Sequence, residues 1–223
     1  MESIQVKDVL ISDRGVRLPG LLSMPEKAIG IIIFVHGSGS SRLSSRNQQV
    51  ARALNELGLA TLLFDLLTEE EAIDRTNVFD ISLLSRRLQR VTEWVQDQLE
   101  LEALPIGYFG ASTGAAAALS AAADLKHQIK AVVSRGGRPD MAISKLREVL
   151  APVLLIVGGN DFGVIELNEK AFEQLQNGRL EIVPGATHLF EELGTLDKVA
   201  CLAGQWFVEK MLSDEKVVSG QGD

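Results

Sequence analysis

Residues 110–114 read Gly-Ala-Ser-Thr-Gly, the Gly-x-Ser-x-Gly pattern of a serine nucleophile on a sharp turn. A short apolar run precedes the motif and an alanine-rich run follows it, so the serine stands at a strand-to-helix junction. At such a turn, the residues two before and two after the serine crowd each other, which favours glycine at both places. The pattern predicts that Ser112 is a nucleophile and that Gly110 and Gly114 support its turn.

An acid and a histidine follow the serine, each just past an apolar run. Asp161 comes after residues 153–157, and His188 comes after residues 180–183. A serine hydroxyl needs a base to take its proton, and a carboxylate on the other ring nitrogen orients that base. The order Ser112, Asp161, His188 therefore predicts a catalytic triad, and Asp65, which also ends an apolar run, is an alternative acid or a brace.

A glycine-rich stretch, His-Gly-Ser-Gly at residues 36–39, follows another apolar run. Acyl transfer builds negative charge on an oxygen, which backbone N–H groups stabilise when they already point at it. We expect the N–H of Thr113 to be one donor and that of Ser38 to be the other, with Gly39 as the alternative. His36 and Gly37 are expected to support this loop.

Apolar strand-like runs alternate with helical patterns along the chain, which is typical of an α/β fold with a mostly parallel sheet. Continuous apolar runs indicate central strands buried on both faces. The predicted strands are residues 3–11, 17–24, 29–35, 59–64, 105–109, 129–134, 153–157 and 180–183, of which the first two form an antiparallel pair. A long helix is predicted to carry an apolar stripe from Leu84 to Leu99, and a final helix to span 195–212.

The pattern predicts one domain over residues 1–212 and a polar tail over 213–223, with oligomeric state left open. Ligands of such sheets bind beyond the carboxyl ends of the strands, where all the residues above are placed.

Composition excludes several classes of function. The net charge of −8 supplies no basic patch for nucleic acid or for an anionic membrane. No apolar run reaches membrane-spanning length, and the first residues do not form a signal peptide. One cysteine and three scattered histidines give neither a disulfide nor a metal-ligand spacing, so we expect a cytoplasmic protein without metal or cofactor.

Together these motifs resemble the dienelactone hydrolase-like branch of the α/β hydrolases, over residues 17–211. The resemblance implies a three-layer α/β-hydrolase fold with an eight-stranded sheet. Dienelactone hydrolases carry cysteine at the turn, so Ser112 favours a serine carboxylesterase instead. The resemblance also implies arginines that bind an anionic substrate group. Arg42, Arg135 and Arg138 follow strands and are candidates, unless they brace loops by pairing with Asp65 or Asp140.

The stretch between residues 134 and 153, where many hydrolases insert a lid, is short. We therefore expect no separate cap domain, an open cleft and small soluble esters as substrates. Three alternatives stay open: acyl transfer or perhydrolysis through the same triad, a ligand-binding protein without activity, and a dinucleotide-binding protein that uses Gly37–Gly39 and Asp65.

Overall fold

A computed structural model describes residues 3–13 and 15–213 of the chain. Its centre is an eight-stranded sheet with the strand order β1-β2-β4-β3-β5-β6-β7-β8. The first two strands pair antiparallel, β2 also runs antiparallel to β4, and all remaining pairs are parallel. The strands are β1 (Ile4–Asp13), β2 (Val16–Pro25), β3 (Gly30–Val35), β4 (Leu59–Phe64), β5 (Ile106–Ala111), β6 (Ile129–Arg135), β7 (Val153–Gly158) and β8 (Gly178–Val183).

Helices cover both faces of this sheet, because strands β3, β4, β5 and β7 are buried along their whole length. The helices are α1 (Ser45–Glu56), α2 (Glu69–Ile73), α3 (Arg75–Phe79), α4 (Ile81–Gln96), α5 (Thr113–Leu125), α6 (Phe162–Phe172) and α7 (Thr195–Met211). One apolar cluster joins the sheet to α1 and α7, and another joins its opposite face to α4 and α5. The predicted three-layer α/β-hydrolase fold is confirmed.

Helix α4 ends earlier than the apolar stripe predicted. Its last residue is Gln96, and Leu99 lies beyond the helix with 88% of its surface exposed. The chain turns at this point, with the N–H of Leu101 donating to the carbonyl of Gln98 at 2.8 Å. Leu101 is buried at 1% exposure, so it takes the place in the core that the stripe assigned to Leu99.

The connection between β4 and α4 holds the short helices α2 and α3, which the sequence analysis missed. None of their residues is buried. The Thr68 hydroxyl accepts the Glu71 N–H and the Glu71 carboxylate accepts the Thr68 N–H, which together form a capping box at the start of α2. Glu71 also binds Arg87 of α4 through two hydrogen bonds of 2.9 and 3.0 Å. We call residues 69–79 the outer wall.

The connection between β6 and β7 is a 3₁₀ segment, Pro139–Glu148, that packs against α5. The expectation of no separate cap domain is confirmed for the part of the chain that the structure describes. In that part, no helix is long and apolar enough to cross a membrane. Of the predicted tail, residues 214–223 lie outside the described residues.

Candidate active site

Ser112 stands on the turn between β5 and α5 in a backbone conformation that side chains rarely adopt. Its φ is 52° and its ψ is −124°. A Cβ at position 114 would lie 2.1 Å from the carbonyl oxygen of Val35, and one at position 110 would lie 2.5 Å from the Cα of Ala115. Both positions therefore require glycine, as the motif predicted, and the strained turn presents the serine hydroxyl above the sheet.

His188 joins Ser112 to Asp161 through both of its ring nitrogens. The Nε2 atom lies 3.3 Å from Ser112 Oγ, and Nδ1 lies 2.6 Å from Asp161 Oδ2. A carboxylate only accepts hydrogen bonds, so a neutral His188 donates Nδ1–H to Asp161 and turns the lone pair of Nε2 toward the serine hydroxyl. The structure thus brings the three predicted residues together in one chain of hydrogen bonds.

Asp65, the alternative acid, is held elsewhere. Its carboxylate accepts the backbone N–H of Arg42 at 2.6 Å and also binds the Arg42 guanidinium. The carboxyl group in contact with His188 is that of Asp161. Asp65 therefore fixes the end of the glycine-rich loop, which was its other predicted role.

The loop that carries His188 is braced by Glu192, a contact that the sequence did not reveal. The Glu192 carboxylate accepts the Thr187 hydroxyl at 2.6 Å and the Thr187 N–H at 3.1 Å. These hydrogen bonds, with the hydroxyl as the larger contributor, lower the pKa of Glu192. These hydrogen bonds fix Thr187, the residue directly before His188.

The glycine-rich loop passes beside the serine. A Cβ at position 37 would lie 2.9 Å from the Cβ of Ser112, so the loop can approach this closely only with glycine there. The Ser38 N–H donates to the hydroxyl of Thr113 at 2.9 Å. Of the predicted donors, Ser38 and Thr113 are thus in direct contact, while Gly39 continues the loop with a φ of 69°.

His36 links this loop to the segment that follows β4. The Leu66 N–H donates to His36 Nε2 at 3.0 Å, and Nδ1 lies 2.9 Å from the carbonyl of Gly37. Burial lowers the pKa of His36, which favours the neutral ring that can accept from Leu66. The supporting role predicted for His36 agrees with these contacts.

The three candidate arginines have different surroundings. Arg42 is paired with Asp65, and Arg138 forms two hydrogen bonds of 2.8 and 2.9 Å with Asp140, as the bracing alternative proposed. Arg135 is buried, and its guanidinium donates to Asn47 Oδ1 at 3.1 Å. Burial, with a smaller contribution from a nearby arginine, lowers the pKa of Arg135 to about 10.

A cleft of about 520 Å³ opens beside Thr113, between the glycine-rich loop and the outer wall. Thr113 and the glycine-rich loop form one side. Apolar side chains from the β4–α4 connection and from α4 form much of the rest. Within residues 3–13 and 15–213, no cluster of three or more histidine, cysteine, aspartate or glutamate side chains is placed to hold a metal ion.

Comparison with known proteins identifies the family. Residues 18–202 match the model of the dienelactone hydrolase family. The crystal structure of dienelactone hydrolase from Anabaena variabilis is 54% identical, with a TM-score of 0.91 over 93% of this chain and 98% of that one. Est1E from Butyrivibrio proteoclasticus shares the fold at 19% identity, with a TM-score of 0.80 over 92% of this chain and 98% of that chain.

A curated relative from Mycobacterium tuberculosis, named "Putative phosphoribosyl transferase", is 57% identical over 197 residues. The match covers 88% of this chain and 44% of that protein, so the chain spans less than half the length of this relative. The family match, the A. variabilis structure and the strand order agree with one another. The chain therefore belongs to the dienelactone hydrolase family of α/β hydrolases.

Proposed function

We propose that this protein is a serine carboxylic ester hydrolase that works through an acyl-enzyme on Ser112. The observation that carries the proposal is the hydrogen-bond chain from Ser112 Oγ through His188 to Asp161, with separations of 3.3 and 2.6 Å. Membership of a hydrolase family supports the reaction class. Serine instead of cysteine at the turn supports open-chain esters over the cyclic ester, a lactone, that names the family.

In the first half-reaction, Ser112 Oγ attacks the ester carbonyl carbon while His188 Nε2 takes the hydroxyl proton. The tetrahedral intermediate then collapses, and the bond to the alcohol oxygen breaks. His188 gives its proton to that oxygen, so the alcohol leaves neutral and the acyl group stays on Ser112. Asp161 keeps the ring oriented and stabilises the imidazolium that forms between these steps.

In the second half-reaction, water replaces the alcohol. His188 takes one proton from the water as its oxygen attacks the acyl carbon, and returns that proton to Ser112 Oγ as the acid is released. Transfer to another acceptor, such as an alcohol or hydrogen peroxide, would pass through the same acyl-enzyme. It remains the second candidate function because the site chemistry up to that point is identical.

The N–H groups of Thr113 and Ser38 are the proposed oxyanion donors. The Ser38 N–H already donates to the Thr113 hydroxyl, so an oxyanion between the two residues would share this N–H with that hydroxyl. Both donors are backbone groups at the start of a helix or in a short loop, and they need little rearrangement as charge develops.

We propose a small-molecule ester as the partner, a cytoplasmic location and no cofactor. The dinucleotide-binding alternative loses its support, because the sheet does not have the 3-2-1-4-5-6 order of a dinucleotide-binding sheet and the fold matches that of a dienelactone hydrolase. The transferase name of the M. tuberculosis relative describes that longer protein and is not extended to this chain.

A fluorophosphonate probe tests the proposal directly. The folded protein should take up one probe per chain at Ser112 and hydrolyse p-nitrophenyl acetate. Ser112→Ala should lose the label and at least 10³-fold in kcat. Ser12→Ala, an exposed serine on the edge strand β1, is the matched control and should keep both. Turnover that survives in Ser112→Ala would overturn the assignment.

A further inference from the structure

We propose that the cleft beside the glycine-rich loop is an acyl pocket, and that it selects an apolar acyl group longer than butyryl. The inference rests on the proposed ester hydrolysis and adds the substrate class. It makes more specific the expectation of small soluble esters that the short connections suggested. Ala72 and Val78 of the outer wall would set the limit on acyl length.

The position of the cleft relative to the base decides which half of the ester it receives. His188 must protonate the leaving alcohol, so the alcohol oxygen has to lie on the His188 side of the serine. The residues lining the cleft include Ser38, Gly39 and Thr113, whereas Ser112, His188 and Asp161 are not among them. The cleft therefore lies on the side of the proposed oxyanion donors and away from His188, which leaves it to the acyl chain.

The chemistry of the lining favours an apolar chain. Six aliphatic residues line the cleft beside polar residues of the glycine-rich loop and the outer wall, namely Leu43, Leu66, Leu67, Ala72, Val78 and Leu84. Asp65, one of the two carboxylates that line the cleft, is already paired with Arg42. Glu69 and Arg75 lie on exposed positions of the outer wall, so their charges remain in water.

The size of the cleft favours a chain longer than acetyl. At about 520 Å³ it falls in the range of ~300–1,000 Å³ that holds drug-sized ligands, and an acetyl group would leave most of it filled with water. Burying a methylene is worth roughly 0.8 kcal/mol, which corresponds to about fourfold in kcat/KM. A chain that follows the aliphatic lining thus gains with each carbon until it reaches the outer wall.

Substitutions in the outer wall can change the limit on acyl length without disturbing the core. Ala72 lines the cleft, yet it belongs to a helix with no buried residues, so a larger side chain has room to enter the cleft. Ile73, the next residue on the same helix, is 81% exposed and does not line the cleft. These neighbours form a matched pair for adding bulk inside and outside the pocket.

The test compares p-nitrophenyl esters from acetate to palmitate on the wild type, Ala72→Phe and Ile73→Phe. We expect wild-type kcat/KM to rise at least tenfold from butyrate to octanoate and to fall again at palmitate. Ala72→Phe should lower kcat/KM on octanoate at least tenfold and change acetate by less than about twofold. Ile73→Phe should keep the wild-type profile. Thermal unfolding checks each fold, and Val78→Phe replaces Ala72→Phe if the latter unfolds.

The contrary outcomes distinguish failure of the acyl pocket from failure of the proposed ester hydrolysis. A wild-type maximum at acetate or butyrate, with turnover that depends on Ser112, overturns the acyl pocket and leaves the ester hydrolase standing. An equal loss on all esters in Ala72→Phe also overturns the pocket, because the wall would then act on chemistry instead of length. Absence of any turnover that depends on Ser112 overturns both.

Discussion

The turn that carries Ser112 and the outer wall face each other across one cleft, yet they are built in opposite ways. Every residue of α5 from 113 to 123 is buried, and backbone atoms of β3 press on the turn from below. In the outer wall no residue is buried, and its attachment consists of polar contacts such as the capping box at Thr68 and the Glu71–Arg87 pair.

This contrast separates two tasks. Atoms that must stay within fractions of an ångström of each other are fixed by close-packed backbone, which transmits strain and tolerates little change. A wall that, under the proposed function, only bounds the space for an acyl group can rest on a few hydrogen bonds at the surface. We therefore expect sequence change to be costly at the turn and inexpensive at the outer wall.

The largest effect is expected at the turn itself. Gly114→Ala would place a Cβ 2.1 Å from the Val35 carbonyl and 2.5 Å from that of His36, which would push β3 and the glycine-rich loop apart. We expect a loss of more than about 4 kcal/mol in the free energy of unfolding, or no folded protein. Urea denaturation measures it. Gly163→Ala in α6, where a Cβ meets nothing within 4 Å, is the control and should unfold at the same urea concentration or a slightly higher one.

An intermediate loss of stability is expected at His36, which links the glycine-rich loop to the segment that follows β4. His36→Phe removes the acceptor of the Leu66 N–H and should destabilise the protein by about 1–3 kcal/mol at pH 7.5. Because the pKa of His36 is lowered by folding, its contribution is complete above pH 6.5 and declines as pH falls through the folded value.

The stability gap between wild type and His36→Phe should therefore narrow as the solution is acidified, and unfolding curves at pH 5.0 to 7.5 would measure it. The exposed His127 provides the control, since His127→Phe should follow the wild-type curve at each pH. A gap that widens in acid would contradict the neutral, accepting role of His36.

The smallest effect is expected at the outer wall. Glu71→Gln weakens the link to Arg87, but Arg87 keeps the Leu66 carbonyl and Asp13 at 3.1 Å. We expect less than about 1 kcal/mol of global destabilisation, together with amide hydrogen exchange at residues 69–79 that is several times faster. Glu70→Gln, at an exposed position of the same helix, should change neither quantity. A large global loss would remove the contrast between the two regions.

Features that depend on local pattern could be predicted from the sequence. Strand β4 spans Leu59–Phe64 as predicted, because a continuous apolar run between turn residues leaves little choice of boundary. The glycines at 110 and 114 followed from the crowding at the turn. The meeting of Ser112, Asp161 and His188 followed from the rule that parallel strands end at one edge.

Hydrogen bonds between particular polar groups could not be predicted with the same success. Glu192 is four residues from His188, and nothing in the sequence singles it out as the hydrogen-bond partner of Thr187. The outer wall did carry a signal, because Thr68 and Glu71 have the spacing of a capping box, but no apolar stripe follows it. Leu99 was misplaced because periodicity alone does not show where a helix stops.

Ser112 and Asp161 also share a position that their roles obscure. Each is the residue before the first turn of a helix, α5 or α6, and neither side chain makes the hydrogen bond that serine and aspartate usually supply there. Such a bond typically contributes about 1 kcal/mol, so both helices forgo stability at the place where the two side chains turn toward His188. The two side chains are thus committed to His188 and not to the helices that they precede.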